Sequence, residues 1–184
     1  PRDQSKLLVL DQAKGLIKHQ HFFEIGQFLR DDDLLVFNDT KVFKARLKGL
    51  TPARASGDTL AGVIPIEVFL LRAHDQIWEA MIRPGRKVKV GDEIVFSPLS
   101  EGGFKGGVRE KLSNGIVKIE LDASVDEVLW YCDKHGEVPV PPYVKQQPKD
   151  LATYQTVYAR ETGSVAAPTA GFHFTERLLD ELRD

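Results

Sequence analysis

A single cysteine, Cys132, stands among the 184 residues, so no disulfide can form within the chain. That excludes a disulfide-stapled secreted domain and fits a reducing, cytoplasmic setting. Long apolar runs are also missing. The longest reach a few residues, as in LLVF at 34–37, far short of the roughly 20 needed to span a bilayer, so no membrane segment is expected. No basic-then-apolar leader opens the numbering, which predicts no secretory signal. Positive charge is not in excess, with 25 Lys and Arg against 27 Asp and Glu and a formal net charge of −2. A nucleic-acid role must therefore come from local clustering of cations, not from the overall balance. Hydrophobic residues make up 42%, adequate for a buried core in one large or two small domains.

Several catalytic signatures are missing too. GGFKGG at 102–107 lacks the Gly-Lys-Ser/Thr ending of a phosphate-binding loop and reads as a flexible hairpin loop. There is no GxGxxG and no G-x-S-x-G elbow. His19 and His21 lie two apart with no further ligand cluster and one cysteine cannot build a zinc site, so no metal is expected.

What is present divides into three segments: 1–40, 41–121 and 122–184. Residues 7–10 read as a short buried strand, GLIKHQHFFEIGQFLR as a helix with Phe22, Ile25, Phe28 and Leu29 on one side, and LLVF as a second buried strand. Strand, helix and strand in about 30 residues suggest an α/β layer. From Val42 the period becomes two, with Phe43, Ala45 and Leu47 alternating against Lys44, Arg46 and Lys48. Further short strands follow at IEVFLLRA, IWEAMIR, KVKV, EIVFS, VREKL and IVKIEL, with turn signals at Pro84-Gly85, Gly91-Asp92 and Asn114-Gly115. The expectation is a mixed α/β protein whose α/β domain is interrupted by a small antiparallel six-stranded β-barrel at 41–121. DASVDEVLWYCDKHG then predicts a helix, with Ser124 and Glu127 as a capping box, Val125, Val128, Leu129 and Cys132 as its apolar face and Gly136 as its stop. The last residues, ERLLDELRD, form an amphipathic pattern with no C-cap glycine or basic last turn, so the chain reads as cut within a longer protein.

Four stretches can carry chemistry. Asn38-Asp39-Thr40 follows the LLVF segment, where the carboxyl end of a strand opens into a ligand crevice, though the same residues also cap plain turns. Lys44, Arg46 and Lys48, joined by Arg83, Arg86, Lys87 and Lys89, can track a phosphate backbone or simply solubilise a strand edge. VPVPPYV fixes Tyr143 on a stiff arm, either as a stacking platform or as a strap packed into the core. Finally, residues 163–175, GSVAAPTAGFHFT, contain no Lys, Arg, Asp or Glu in a chain that is 28% charged. Small residues there permit close backbone approach to a ligand, Thr175 can cap a following helix, and His173 can act as a general acid or base.

In order along the chain, RDQSKLLVLD, LLVFNDTKVFKARL, GEVPVPPYV and YQTVYARETGSVAAPTAGFHFTERLL resemble the S-adenosylmethionine:tRNA ribosyltransferase-isomerase family of queuosine biosynthesis. The resemblance covers nearly the whole chain except the barrel loops, and about the front half of the family's usual length. It implies an α/β domain interrupted by a β-barrel and a cytoplasmic, monomeric enzyme with no prosthetic group. It also implies transfer and isomerisation of the ribosyl moiety of S-adenosylmethionine, the co-substrate, onto the 7-aminomethyl-7-deazaguanine of tRNA. Epoxyqueuosine, adenine and methionine result. By the same resemblance, Asp39 and His173 are the proton-moving side chains, and Asn38, Thr40, Arg46, Tyr143, Tyr154, Gln155, Ser164, Thr169 and Gly171 are binding residues. Lys44, Arg46 and Lys48 are the expected RNA contacts. Residues 50–65 are longer than a tight turn and read as this protein's own insertion. Two other readings stay open: a non-catalytic RNA-binding β-barrel module, and a paralogue acting on another nucleoside.

Overall fold

The structure is a computed structural model that describes residues 2–52, 62–139 and 151–183. The chain forms two compact units, one of Pro1–Lys41, Tyr154–Glu161 and Ala167–Asp184, the other of Val42–Thr153 and Thr162–Ala166. Its class is mixed α/β with a closed antiparallel six-stranded barrel.

The barrel unit is built from β4 (Arg46–Pro52), β5 (Val63–His74), β6 (Ile77–Arg83), β7 (Glu93–Val95), β8 (Lys105–Lys111) and β9 (Val117–Leu121), in the spatial order β4-β5-β6-β9-β8-β7. The alternation gives the expected burial, with Phe43, Ala45 and Leu47 in one core with Val68, Leu70, Trp78, Ala80, Ile94, Phe96 and Ile119, although the expected strand is broken at residues 43–45 and β4 begins at Arg46. Asn114-Gly115 turns β8 into β9, with Gly115 at φ +86° and the Leu112 N–H donating to the Ile116 carbonyl at 2.8 Å.

Two barrel expectations are corrected. GGFKGG is not a loop throughout, because its Gly106 and Gly107 lie in β8; a Cβ on Gly106 would fall 2.5 Å from Leu121 Cδ2 and 2.7 Å from Ile119 Cγ2. The glycine there is set by space in the core, not by turn chemistry. KVKV is not a strand. Gly85–Lys87 forms a 3-10 turn, and only Val88 of that run enters the core.

Helix α1 (Val125–His135) closes on this core with the expected capping box: the Glu127 N–H donates to Ser124 Oγ at 3.4 Å and the Ser124 N–H to Glu127 Oε2 at 2.8 Å. Val128, Tyr131 and Cys132 are its buried residues, and the Tyr131 hydroxyl donates to the Ser97 carbonyl at 2.7 Å. Burial pushes the Cys132 thiol up to about 12, so it stays protonated and inert. Gly136 ends the helix in extended conformation, φ −82°, and its lack of a side chain answers to crowding: a Cβ would sit 2.1 Å from the Lys44 carbonyl oxygen.

In the other unit the predicted strand-helix-strand is replaced. β1 (Lys6–Asp11) pairs antiparallel with β2 (Leu16–His21), in a register running from Lys6 opposite His21 to Asp11 opposite Leu16. The turn decides this hairpin: Asp11 Oδ1 accepts the Lys14 N–H at 3.1 Å and Gly15 takes φ +63°. The hairpin takes residues 16–21 out of the expected helix, and Phe22, Ile25 and Phe28, at helical spacing, form only a 3-10 segment, Phe22–Phe28. β1 is half exposed, not buried, with Leu8 and Leu10 more than half accessible. Residues 34–37 form no strand, and Leu34 and Val36 are each 86% exposed. A buried strand needs cover on both faces, and no named strand among the described residues pairs with this run. β3 (Thr40–Val42) and β10 (Glu161–Ser164) are short strands whose residues are divided between the two units, and within this unit α2 (Glu176–Glu181) is capped by Thr175 Oγ1, which accepts the Leu178 N–H at 3.2 Å.

Candidate functional site

A cleft of about 720 Å³ opens within the first unit, walled by Phe37, Asp39, Tyr158, Arg160, Leu179 and Arg183 among others. Asp39 sits there because its backbone is clamped: its carbonyl accepts the N–H groups of Arg160, at 2.7 Å, and Glu161, at 3.2 Å. Its Oδ2 lies 3.1 Å from Arg160 Nη2, a pair open enough to water for its strength to be modest. Asn38 and Thr40 flank it as a local turn, Asn38 Oδ1 accepting from Thr40 N at 3.0 Å and from Thr40 Oγ1 at 2.6 Å. Both of their side chains are thus occupied within the turn. The Phe37 ring meets Tyr158 edge-on at 4.9 Å, giving the cleft an aromatic wall, and burial pushes the Tyr158 phenol up, which keeps it a neutral donor.

His173 is not in that wall. It ends the 3-10 segment Thr169–His173, with its ring 5.3 Å from Phe22, and Phe22 continues through Phe174 to Phe37 by edge contacts of 4.9 and 5.1 Å. Nδ1 of His173 lies 2.9 Å from Ser5 Oγ and 3.2 Å from the Arg2 carbonyl, to which Ser5 Oγ itself donates at 3.1 Å. A carbonyl can only accept, so the arrangement favours the proton on Nδ1 and leaves Nε2 as the basic nitrogen. Gly171 is buried because the Tyr158 hydroxyl occupies the space of its missing side chain, 2.1 Å from where a Cβ would be. The Tyr154 ring contacts Phe172 at 5.6 Å, the Gln155 carbonyl accepts from Arg2 Nη1 at 2.7 Å, and Thr169 is exposed.

Beneath this segment Asp3 is buried at 3% exposure, 3.0 Å from Arg177 Nη2. Burial raises its carboxyl, but the hydrogen bonds from Arg177 and Gln4 and the guanidinium charge outweigh that and hold it below the usual carboxylate value. A depressed carboxylate stabilises the fold above its unfolded value of about 4, and that contribution is lost as pH falls through the lower folded value. Asp3→Asn is therefore expected to lower the unfolding temperature at pH 7, with the gap to the parent narrowing below about pH 4; thermal melts between pH 2 and 7 measure it. A constant gap across that range would remove Asp3 from the pH dependence.

The other predicted residues that the structure describes lie in the barrel unit. Each cation of the alternating segment has an acidic neighbour: Lys44 with Asp133 at 3.3 Å, Arg46 with Glu67 at 3.8 Å and Lys48 with Glu137 at 3.2 Å. Ser164 turns back on its own loop, Oγ donating to the Ala166 carbonyl at 2.8 Å. Tyr143 lies outside the described residues. Sequence reasoning passed over Phe37, Tyr158 and Arg160 as cleft residues, although all three stand inside the quoted motifs, and over Asp3, Ser5 and Arg177, whose partners are more than 150 positions away.

The family model described as queuosine biosynthesis protein matches residues 1–184, the whole chain. The chain belongs to this family. Among its relatives, the S-adenosylmethionine:tRNA ribosyltransferase-isomerase of Moorella thermoacetica is 44% identical over all of this chain and 51% of its own length. That of Caldanaerobacter subterraneus is 43% identical over 100% and 50%, and that of Staphylococcus haemolyticus 40% identical over 99% and 50%. The chain thus spans about half the length of the curated relatives it matches. A crystal structure of the S-adenosylmethionine tRNA ribosyltransferase of Thermotoga maritima aligns with all of this chain and 48% of that one, at 27% identity and a TM-score of 0.43.

Proposed function

We propose that this family member acts as a tRNA-modifying enzyme that transfers and isomerises the ribosyl moiety of S-adenosylmethionine onto the 7-aminomethyl-7-deazaguanine of tRNA. Epoxyqueuosine forms, and adenine and methionine leave. The observation that carries this reading is the family match along the entire chain, together with relatives of that enzyme name at 40% identity and above. Loss of a proton from the carbon beside the sulfonium needs a base, and departing adenine needs a donor. Asp39 and the Nε2 of His173 take the proton-moving roles. Asn38, Thr40, Arg46, Tyr143, Tyr154, Gln155, Ser164, Thr169 and Gly171 contribute binding. The Phe37 and Tyr158 rings supply a face on which a nucleobase stacks, and Lys44, Arg46 and Lys48 reach RNA by exchanging carboxylate partners for phosphate.

The test incubates the protein at its full natural length with S-adenosylmethionine labelled in the adenine and tRNA carrying the deazaguanine precursor. Release of labelled adenine that depends on that tRNA is the expected result. Binding of tRNA with no adenine release would replace this reading by the non-catalytic RNA-binding module.

A further inference from the structure

The end of β6 and the turn after it concentrate charge of one sign. In RPGRKVK, residues 83–89, Arg83, Arg86, Lys87 and Lys89 are all exposed and no acidic residue interrupts them. The turn has a fixed shape. The Lys87 N–H donates to the Pro84 carbonyl at 3.0 Å and the Val88 N–H to the Gly85 carbonyl at 3.3 Å, and Val88 is fully buried as its anchor. Lys111, at the end of β8, clamps it from the side, its Nζ donating to the carbonyls of Gly85 at 2.8 Å and Val88 at 2.9 Å.

Acidic groups near the turn are already engaged. Glu67 stands opposite Arg83 in the β5–β6 ladder and lies 3.8 Å from Arg46, and Asp92 Oδ2 accepts the backbone N–H of Lys89 at 2.7 Å. The side chains of Arg83, Arg86, Lys87 and Lys89 form no ion pair with a described residue within 4.0 Å, in contrast to Lys44, Arg46 and Lys48. The difference matters for a polyanion. A cation that already holds a carboxylate must give it up on meeting a phosphate, whereas an unpaired one gains the whole release of the phosphate's counterion. A rigid turn also spends little ordering entropy on contact.

We infer that the 83–89 turn is the principal phosphate-contacting surface of the barrel unit for RNA, ahead of Lys44, Arg46 and Lys48. The inference rests on the tRNA reading above. Its test compares R86S/K87S/K89S, R46S/K48S and the parent, each at full natural length, for binding to bulk tRNA between 50 and 200 mM salt. Each phosphate contact contributes roughly 0.7 to 0.9 to the slope of log affinity against log salt, so the triple variant is expected to flatten the slope by about 2. Its affinity should fall at least about tenfold at 0.1 M salt, and R46S/K48S should lose less. The substituted side chains of the triple variant are exposed, so its melting temperature stays at the parental value; K87E, a single charge reversal, gives the same direction should the triple variant melt early. A triple variant and K87E that keep parental affinity and slope overturn the inference alone. A parent that binds no tRNA even at 50 mM salt overturns the tRNA reading and the inference with it.

Discussion

His173→Ala is expected to lower tRNA-dependent adenine release by roughly 10²- to 10⁴-fold while leaving the protein folded, the range set by loss of a positioned general acid or base. The surroundings of the ring explain why the folding cost is small. Nδ1 faces Ser5 Oγ at 2.9 Å and the Arg2 carbonyl at 3.2 Å, but Ser5 also donates to that carbonyl at 3.1 Å, so removing the imidazole leaves neither group without a partner. The contact with Phe22 is lost, which amounts to about 1 kcal/mol. A melt beside an adenine-release assay separates the two effects. Parental turnover in the variant would assign His173 to holding the 3-10 segment against Phe22 and Ser5 and nothing more.

The largest expected stability effect comes from Gly136→Ala. The new methyl would stand 2.1 Å from the Lys44 carbonyl oxygen and 2.5 Å from that of Cys132, both backbone atoms that no rotamer change can move aside. Adjacent backbone bonds fix the same place, since Arg46 and Glu137 exchange N–H to carbonyl bonds at 3.3 and 2.9 Å. Overpacking of this kind costs about 3 kcal/mol, roughly 6–12 °C in melting temperature for a chain of this size. Two other glycines isolate the cause. Gly115→Ala meets no atom within 4 Å but must hold φ +86°, and is expected to cost about 1 kcal/mol. Gly85→Ala has neither constraint and is expected to be close to neutral. Equal melting temperatures for Gly136→Ala and Gly85→Ala would show that the α1 terminus relaxes to admit a side chain.

The parts of the fold that could be read from sequence are those where local pattern and tertiary environment agree. Phe43, Ala45 and Leu47 alternate because one side of their segment faces the barrel core, and Ser124, Glu127 and Gly136 bracket α1 because orphan backbone groups at helix ends need those partners. The failures fall where distant or steric causes decide. LLVF has the composition of a buried strand, but burial depends on covering elements that four residues cannot specify. GGFKGG has the composition of a loop, but Gly106 is dictated by Leu121 and Ile119 on the neighbouring strand. Residues 15–30 read as a helix on the spacing of Phe22, Ile25, Phe28 and Leu29, and Asp11 with Gly15 turned residues 16–21 back as a hairpin.

The candidate site divides in the same way. Asp39 and His173 stood inside recognisable motifs, whereas the Ser5 contact to His173 spans 168 positions and the Asp3 pair with Arg177 spans 174. No local pattern encodes such partners. The carboxylate partners of Lys44, Arg46 and Lys48 were likewise invisible, because Asp133, Glu67 and Glu137 reach them only through the fold.

The protonated, enclosed thiol of Cys132 has a practical consequence. Within these 184 residues it is the sole native sulfhydryl, and a maleimide reagent at neutral pH meets it only when α1 leaves the barrel. A cysteine introduced on an exposed position would thus carry a fluorophore or spin label without competing background from this chain. The rate at which Cys132 itself becomes labelled would clock the opening of the barrel, residue-specifically and without any engineered probe.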